Sequence, residues 1–380
     1  MRKHLKTLAL LLVTIGILWL LWRRLNWNEV GHAFSQANGI LVIVSLGLSC
    51  ATNLIRACRW RTLLSPVAST RLQEVFAATN IGIGTTFLLG AAVGEVARPL
   101  ALSLLTKHVR PAASFLTIVV ERVFDLCALS MLFGLTVLWL PEITGRQGAT
   151  LQLSELGTIL LVLPALALCS LVLFRSRLGT TPGWLDENLI ERRLNPGRLR
   201  RATARYLRKL FGAFSVLSNT RESLVITLWT AGQWLSILLT NWLILRAFGL
   251  HFGFKQALLV MCCGLIGALV PTPGGAAGAF HAALSGGLIY LGVTLGQAAA
   301  ISITAHLVGF VPALPFASYY LLRGNISLTT LQQGMSTTPD QGNEELAALS
   351  KSELGPEGPL QEAEIAAMRP THHRAEGELK

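Results

Sequence analysis

The sequence predicts an all-α integral membrane protein, with about six full spans and two broken helical hairpins that re-enter the membrane. Its composition is 52% hydrophobic and 14% charged, with a mean hydropathy of +0.54, whereas soluble domains are about a quarter charged. Apolar runs of membrane-crossing length recur along the chain. Positive charge is concentrated in short connections between these runs, as is typical of cytoplasmic loops.

The net charge of +12 is unevenly distributed and does not indicate nucleic-acid binding. Residues 324–380 contain nine acidic and four basic side chains, so the rest of the chain carries +17. That excess lies beside apolar runs, which excludes nucleic acid as the expected partner. The six cysteines also lie in or beside apolar runs and form no C-x-x-C pair. We therefore expect buried thiols, with no metal site and no cofactor.

Six apolar runs have the character of full spans. No small-residue cleavage site follows the first, so we interpret it as an uncleaved span. Dense basic clusters beside the early spans place the N-terminus in the cytoplasm, and we predict an inner-membrane protein with both termini there. The predicted spans are Thr7–Trp22, Gly39–Ile55, Ala112–Leu140, Gly157–Phe174, Ser223–Leu250 and Gln297–Leu322.

Two further apolar stretches are broken. Val75–Leu105 is too long for one simple span, is interrupted by glycines and threonines, and has basic residues on both flanks. If both flanks are cytoplasmic, this stretch enters and leaves by the same face. Phe254–Gly292 is broken at Pro271–Gly278 and would do the same from the outer face. The arrangement resembles an inverted repeat, although no internal sequence identity supports one.

The chain is predicted to divide into a membrane domain, residues 1–323, and an acidic, disordered cytoplasmic tail, residues 324–380. The membrane domain includes a cytoplasmic loop, residues 175–221, with eleven Arg and Lys against three Asp and Glu. This loop either sets the topology or forms a basic amphipathic helix on an anionic leaflet. The sequence leaves both alternatives open.

Charged side chains inside apolar runs are the strongest functional signal. Glu95 and Arg98 lie in one broken stretch, and Glu121, Arg122 and Asp125 lie in the next span. Glu121 follows Pro111 by ten residues, which places it about 15 Å into a hydrocarbon core about 30 Å thick. Intramembrane charges are expensive and are a functional-site hypothesis by default. The alternative is an ion-pair network that only locks two segments together.

The predicted substrate-binding set combines these charges with two other groups. Three arginines after the second span, here named the basic trio, would gather a lipid headgroup or would anchor the topology: Arg56, Arg59 and Arg61. Arg98 or Arg56 is the expected basic partner of the carboxylates. The Gly-rich break would offer free N–H groups to an anion, and His281 is either a proton carrier or a hydrogen-bonded buried histidine. The full set is Arg56, Arg59, Arg61, Glu95, Arg98, Glu121, Arg122, Asp125, Pro271, Pro273, Gly274, Gly275 and His281.

Four stretches resemble a flippase-like membrane family that includes the transmembrane region of lysylphosphatidylglycerol synthases. They follow the family's order within roughly Thr7–Arg323, and they are Arg56–Leu64 (RACRWRTLL), Gly94–Pro99 (GEVARP), Glu121–Asp125 (ERVFD) and Pro271–Gly275 (PTPGG). The resemblance implies lipid translocation, with Arg59, Glu95, Arg98, Glu121, Arg122 and Asp125 at motif positions. Ala276–His281 departs from the pattern, because His281 falls about where many members have Glu. The soluble aminoacyl-transferase domain of the synthases is missing, so we do not expect an enzyme.

The predicted function is a flippase or transporter that moves a phospholipid or related polar lipid across the inner membrane. Its expected partners are membrane lipids with an anionic headgroup. The alternative is a non-transporting subunit that recruits a lipid-modifying enzyme of a hopanoid, glycolipid or polyprenyl pathway. A membrane-embedded transferase using Glu121 or Asp125 as base is a third, weaker reading, because no donor-binding motif is visible. The sequence leaves open whether the chain forms a homo-oligomer.

Overall fold

The computed structural model is helical throughout the part of the chain that it describes, and it contains no strand there. These residues belong to one contact unit, Met1–Leu331. The predicted first span, nearly all of the basic loop and the acidic tail lie outside them, so the predicted domain boundary stays a prediction. The described residues are 25–106, 108–144, 151–173, 220–270 and 274–324.

The helices follow one another with short connections. In chain order they are α1 Trp27–Gln36, α2 Gly39–Leu64, α3 Leu72–Leu89, α4 Ala91–Thr106, α5 Pro111–Thr144, α6 Leu151–Leu173, α7 Thr220–Ala247, α8 Phe254–Ala268, α9 Ala277–Tyr290, α10 Leu295–Phe310 and α11 Ala313–Arg323.

Four stretches among the described residues are long and apolar enough to cross a membrane: Gly39–Leu64, Pro111–Leu140, Arg221–Ala247 and Leu295–Arg323. Each overlaps a predicted span, so the prediction of a helical membrane protein is confirmed. Large apolar side chains on these helices point outward, as Ile40 (74% exposed) and Leu228 (69%) show. In water such exposure would be costly, whereas in lipid it costs nothing.

Helix α2 is longer than predicted. The span was expected to end at Ile55, but the helix continues to Leu64 and carries the basic trio on its last turns. Trp60, Leu63 and Leu64 are fully buried there, so burial of their apolar surface extends the helix beyond the apolar run. The basic trio is therefore part of a rigid helix and not of a loop.

Two other boundaries also differ from the prediction. Helix α5 begins at Pro111, as expected, but it runs through Pro141 to Thr144 and shortens the predicted loop. Proline fixes φ near its helical value, so close to a helix end it removes a single hydrogen bond. The last predicted span is divided into α10 and α11 at Pro312, which caps α11.

The first broken stretch forms a helical hairpin of α3 and α4, here named the first hairpin. Its chain reverses at Gly90, whose φ of 97° favours glycine. Gly82 was expected to break the helix, but it lies within α3, where it allows a close approach. A Cβ added to Gly94 would lie 2.6 Å from the Gly82 carbonyl oxygen and 2.8 Å from the Thr86 amide nitrogen.

The second broken stretch also forms a hairpin, of α8 and α9, here named the second hairpin. Gly267 packs against the backbone of Ala279, and a Cβ added to Gly287 would lie 2.8 Å from the Cys263 sulfur. The described part of its turn, Gly274–Ala276, has φ values of 73°, 61° and 64°. Pro271 and Pro273 lie outside the described residues.

The close approach within the first hairpin gives a stability prediction. Gly94→Ala should lower the free energy of unfolding by about 1–3 kcal/mol, because its methyl group would overlap the backbone of α3. Gly47→Ala is the matched control, since nothing lies within 4 Å of its added Cβ; it should be neutral or stabilising. Thermal unfolding of the purified chains checks both, and equal midpoints for the two variants would contradict the assigned packing.

Candidate functional site

Glu121 lies at the centre of a buried cluster of charges contributed by three helices. Its Oε1 accepts hydrogen bonds from Arg59 Nη2 at 2.7 Å on α2, from Arg98 Nη1 at 3.0 Å on α4, and from Arg122 Nη2 at 3.0 Å on α5. The Glu121 side chain is 1% exposed. Charge-assisted hydrogen bonds of this kind are short and strong, so one carboxylate oxygen ties the three helices together.

Asp125, one helical turn after Glu121, holds the other side of Arg59. Arg59 Nη1 donates to Asp125 Oδ1 at 2.6 Å, and Nη2 donates to Oδ2 at 3.1 Å. Arg122 also reaches Asp125 Oδ2, at 3.2 Å. Thr230 Oγ1 on α7 accepts a further hydrogen bond from Arg59 Nη1 at 3.4 Å. The guanidinium of Arg59 is therefore fully buried and paired with two carboxylates.

Glu95 and Arg122 form the open edge of the cluster. Their Oε1 and Nη2 atoms are 3.6 Å apart, and their side chains are 37% and 46% exposed. Pro99 follows Glu95 by one helical turn on α4 and has no amide hydrogen. The backbone carbonyl of Glu95 therefore lacks its usual helical hydrogen bond. We name the six residues the ion cluster: Arg59, Glu95, Arg98, Glu121, Arg122 and Asp125.

Several polar atoms of the ion cluster have no hydrogen-bond partner among the described residues. They include Nε and Nη2 of Arg98 and one oxygen each of Glu95 and Glu121. A buried polar atom without a partner costs about 1–3 kcal/mol. The cluster therefore retains capacity to bind a donor or an acceptor supplied from outside.

The charge of the site is slightly positive. The ion cluster contains three arginines and three carboxylates, which balance. Arg56, a half-buried residue one turn before Arg59, interacts electrostatically with Asp125 and Glu121 and adds a further positive charge. Its Nε lacks a hydrogen-bond partner among the described residues, so this excess charge is also available to a ligand.

Trp60 fixes the position of Arg98. The guanidinium carbon of Arg98 lies 4.1 Å from the centre of the Trp60 ring, a cation–π contact. Trp60 Nε1 donates to Thr117 Oγ1 at 3.0 Å, which orients the ring. Neither Trp60 nor Thr117 was among the predicted site residues; the available signal was a tryptophan between two arginines shortly after a predicted span.

The structure brings five of the predicted intramembrane charges together and adds Arg59 as their central partner. Arg59 was expected either to gather a headgroup at the cytoplasmic face or to anchor the topology; the structure places its side chain fully buried between two carboxylates. Arg98 is a partner of Glu121, as expected. Arg56 makes no ion pair among the described residues. Arg61 is exposed and donates to the Thr70 carbonyl at 3.1 Å, outside the cluster.

The other predicted residues lie in the second hairpin. Gly274 and Gly275 form part of its turn, and His281 Nδ1 is 3.2 Å from Ser302 Oγ. The described contacts of these residues do not include the ion cluster. His306 on α10 lies beside His281, with ring centres 5.0 Å apart. It was missed, although an ionisable residue within a predicted span is a recognisable signal.

A histidine joins the connections that flank the first hairpin. His108 ring nitrogens lie 3.1 Å from the Ser69 carbonyl and 2.6 Å from the Thr106 carbonyl. These two acceptors raise the pKa of His108, because only the protonated ring donates to both. The stabilisation that these two hydrogen bonds add is therefore complete at acid pH, and it is lost as the pH rises through the folded-state pKa of His108.

A bundle of apolar helices around a buried, partly open ion cluster defines a helical membrane protein with an intramembrane polar site. The chain belongs to the family described as the lysylphosphatidylglycerol synthase TM region, whose model matches residues 7–316. No curated protein and no solved structure matches the chain. Family membership indicates a membrane lipid-related protein.

The buried position of Arg59 gives the second prediction. Arg59→Met should destabilise the chain by about 3–5 kcal/mol, because it leaves the Asp125 carboxylate buried without its main partner. Arg61→Met, two residues away and exposed, should change stability by less than about 0.5 kcal/mol. Unfolding midpoints in detergent test the pair. A small and equal effect of both substitutions would show that the ion cluster does not hold the helices together.

Proposed function

We propose that this chain moves a polar lipid across the membrane and that the ion cluster receives the headgroup. One observation carries the proposal: a buried cluster of charges keeps unpartnered guanidinium nitrogens on Arg98 and has an open edge at Arg122 and Glu95. A headgroup could enter by that edge while its acyl chains remain in the surrounding lipid. The same observation supports transport over simple tethering of the helices.

The unpartnered atoms distinguish a binding site from a structural network. A network that serves stability alone gains most when every buried donor and acceptor is satisfied. Here Arg98 Nε and Nη2 and Arg56 Nε remain without partners among the described residues. Guanidinium groups bind phosphate well, and the excess positive charge favours an anion. We therefore propose a phosphate-containing headgroup as the cargo.

The lengths of the hairpin helices support the proposed membrane arrangement. Helix α4 has 16 residues and α9 has 14, so they extend about 24 Å and about 21 Å, short of a hydrocarbon core of about 30 Å. We propose that both hairpins are re-entrant, from opposite faces, within six full spans. The inverted repeat, the inner membrane and the cytoplasmic position of both termini belong to the same proposal.

The glycine-rich turn of the second hairpin would form the gate opposite the ion cluster in this arrangement. We propose that the chain itself is not an enzyme. The second candidate, a subunit that recruits a lipid-modifying enzyme, is favoured by the basic loop of residues 175–221 and the acidic tail. Deleting residues 324–380 separates the two: a scaffold would lose its co-purifying enzyme, whereas a transporter would keep its lipid movement.

The transport assay uses purified protein in liposomes with labelled phospholipids, in which the leaflet of each label is followed. Glu121→Gln and Arg98→Ala should each reduce the rate at least about tenfold, equivalent to about 1.4 kcal/mol of lost interaction. Arg323→Ala is the matched control, because Arg323 is exposed and contacts only Tyr319 among the described residues.

Unfolding measurements on the same samples show that the variants are folded. Wild-type transport in both folded variants would overturn the assignment of the ion cluster. An absence of movement for every labelled lipid with the native chain would overturn the proposed function. Mass spectrometry of lipids that co-purify with the protein identifies which headgroups to label first.

A further inference from the structure

A second polar site lies between the second hairpin and α10, in surroundings unlike those of the ion cluster. His306 is 4% exposed, and aromatic rings surround it on several sides. Its ring centre is 5.2 Å from Phe280, 5.1 Å from Phe310 and 5.9 Å from Phe87. Because Phe87 belongs to α3, the aromatic group joins the first hairpin to the turn of the second.

The nitrogen atoms of His306 make no hydrogen bond of ordinary geometry to any described residue. The backbone of Gly274 is a polar group close enough to act on the ring. A neutral imidazole carries one N–H donor and one acceptor nitrogen, so both functions are left weakly satisfied in a buried place. Buried polar groups in this state call for an explanation in terms of function.

The side chains around His306 pack closely against Gly275 in the turn. A Cβ added to Gly275 would lie 2.8 Å from the Phe310 ring and 3.4 Å from His306 Cε1. The rings are therefore in close contact with the turn. A proton requires no additional volume, whereas any larger ligand would have to displace the aromatic rings.

The charges that face this site are few. His281 on α9 lies against His306, and His306 is the ionisable group that acts on His281. Ser302 provides a polar neighbour for His281, and the Gly274 backbone provides one for His306. Among the described residues, no carboxylate, lysine or arginine acts on either ring. A proton on either ring is therefore uncompensated, and protons on both would place two positive charges about 5 Å apart.

We propose that His281 and His306 form a one-proton site that latches the turn of the second hairpin. With both rings neutral, they pack with the three phenylalanines and hold Gly274–Ala276 in its left-handed conformation. A single proton introduces a charge that this packing does not compensate, and the turn opens. Release of the turn also relieves the positive φ of Ala276, which is strained for a residue with a Cβ.

The latch adds an energy input to the proposed function but does not depend on it. In a lipid transporter it would let the proton gradient bias the gate opposite the ion cluster. Opening of the turn can be measured without any lipid movement. A failed transport assay would therefore leave this inference intact, and a failed latch would leave the transport proposal intact.

The test follows hydrogen–deuterium exchange of the full chain in phosphatidylcholine nanodiscs at pH 5 and pH 8. After correction for the intrinsic effect of pH, amides of residues 274–281 should exchange about tenfold faster at pH 5. This is the change expected if the open turn binds one proton about tenfold more tightly than the closed turn. His306→Phe should weaken this response, because it keeps the aromatic packing and removes one of the two titratable rings. His251→Gln, at an exposed histidine between α7 and α8, should keep it.

Nitrogen-15 NMR of histidine-labelled native protein provides a measurement that does not depend on a variant folding. The His281 and His306 signals should titrate together over the pH range in which the turn opens. Exchange that does not depend on pH in the native chain would overturn the latch. An unchanged response in folded His306→Phe, or ring signals that never titrate, would also overturn it.

Discussion

The guanidinium of Arg59 is the interaction on which the described structure depends most. It lies 2.7 Å from Glu121 and 2.6 Å from Asp125, and the Arg59 side chain is fully buried. A charge in that position is tolerated only if the partners arrive with it. It therefore sets the rotation of α2 relative to α5, since a shift of one residue on either helix would turn the partners apart. The same rotation of α2 leaves Trp60, Leu63 and Leu64 buried.

The first hairpin brings the remaining charges to the same place. Gly82 and Gly94 let α3 and α4 pack closely, and Arg98 continues along the same face of α4, with its Cβ 3.0 Å from the position of an added Gly82 Cβ. Stacking on Trp60 and pairing with Glu121 then determine where its guanidinium lies. The open edge lies at Glu95 and Arg122, where both side chains remain partly exposed.

The sequence predicted the class of fold, the order of most helices and the meeting of the charges. Hydropathy runs and basic flanks were sufficient for the helices, because lipid permits few backbone structures. The scarcity of charge within those runs indicated Glu95, Arg98, Glu121, Arg122 and Asp125. Arg59 was placed at an entrance because a basic residue beyond an apolar run is usually at the interface. Its burial depends on carboxylates 62 and 66 positions away, and such long-range pairing is not contained in local patterns.

The second hairpin was less accessible from sequence. Its glycines indicated a break, but the partner of His281 could not be named, because His306 belongs to a different helix and has ordinary apolar neighbours. The division of the last predicted span at Pro312 was also missed. Proline is common in membrane helices and often kinks them without ending them, so composition alone did not separate the two outcomes.

The glycine contact between α3 and α4 has a mechanical consequence. Where two backbones touch without intervening side chains, there is no layer of rotamers that could rearrange and let one helix slide along the other. Displacement along the contact would drive the Gly82 carbonyl and the Thr86 backbone of α3 into the backbone of α4 at Gly94. The two helices are therefore expected to move as one rigid body. A displacement of the turn at Gly90 would then move Arg98 on α4 with it.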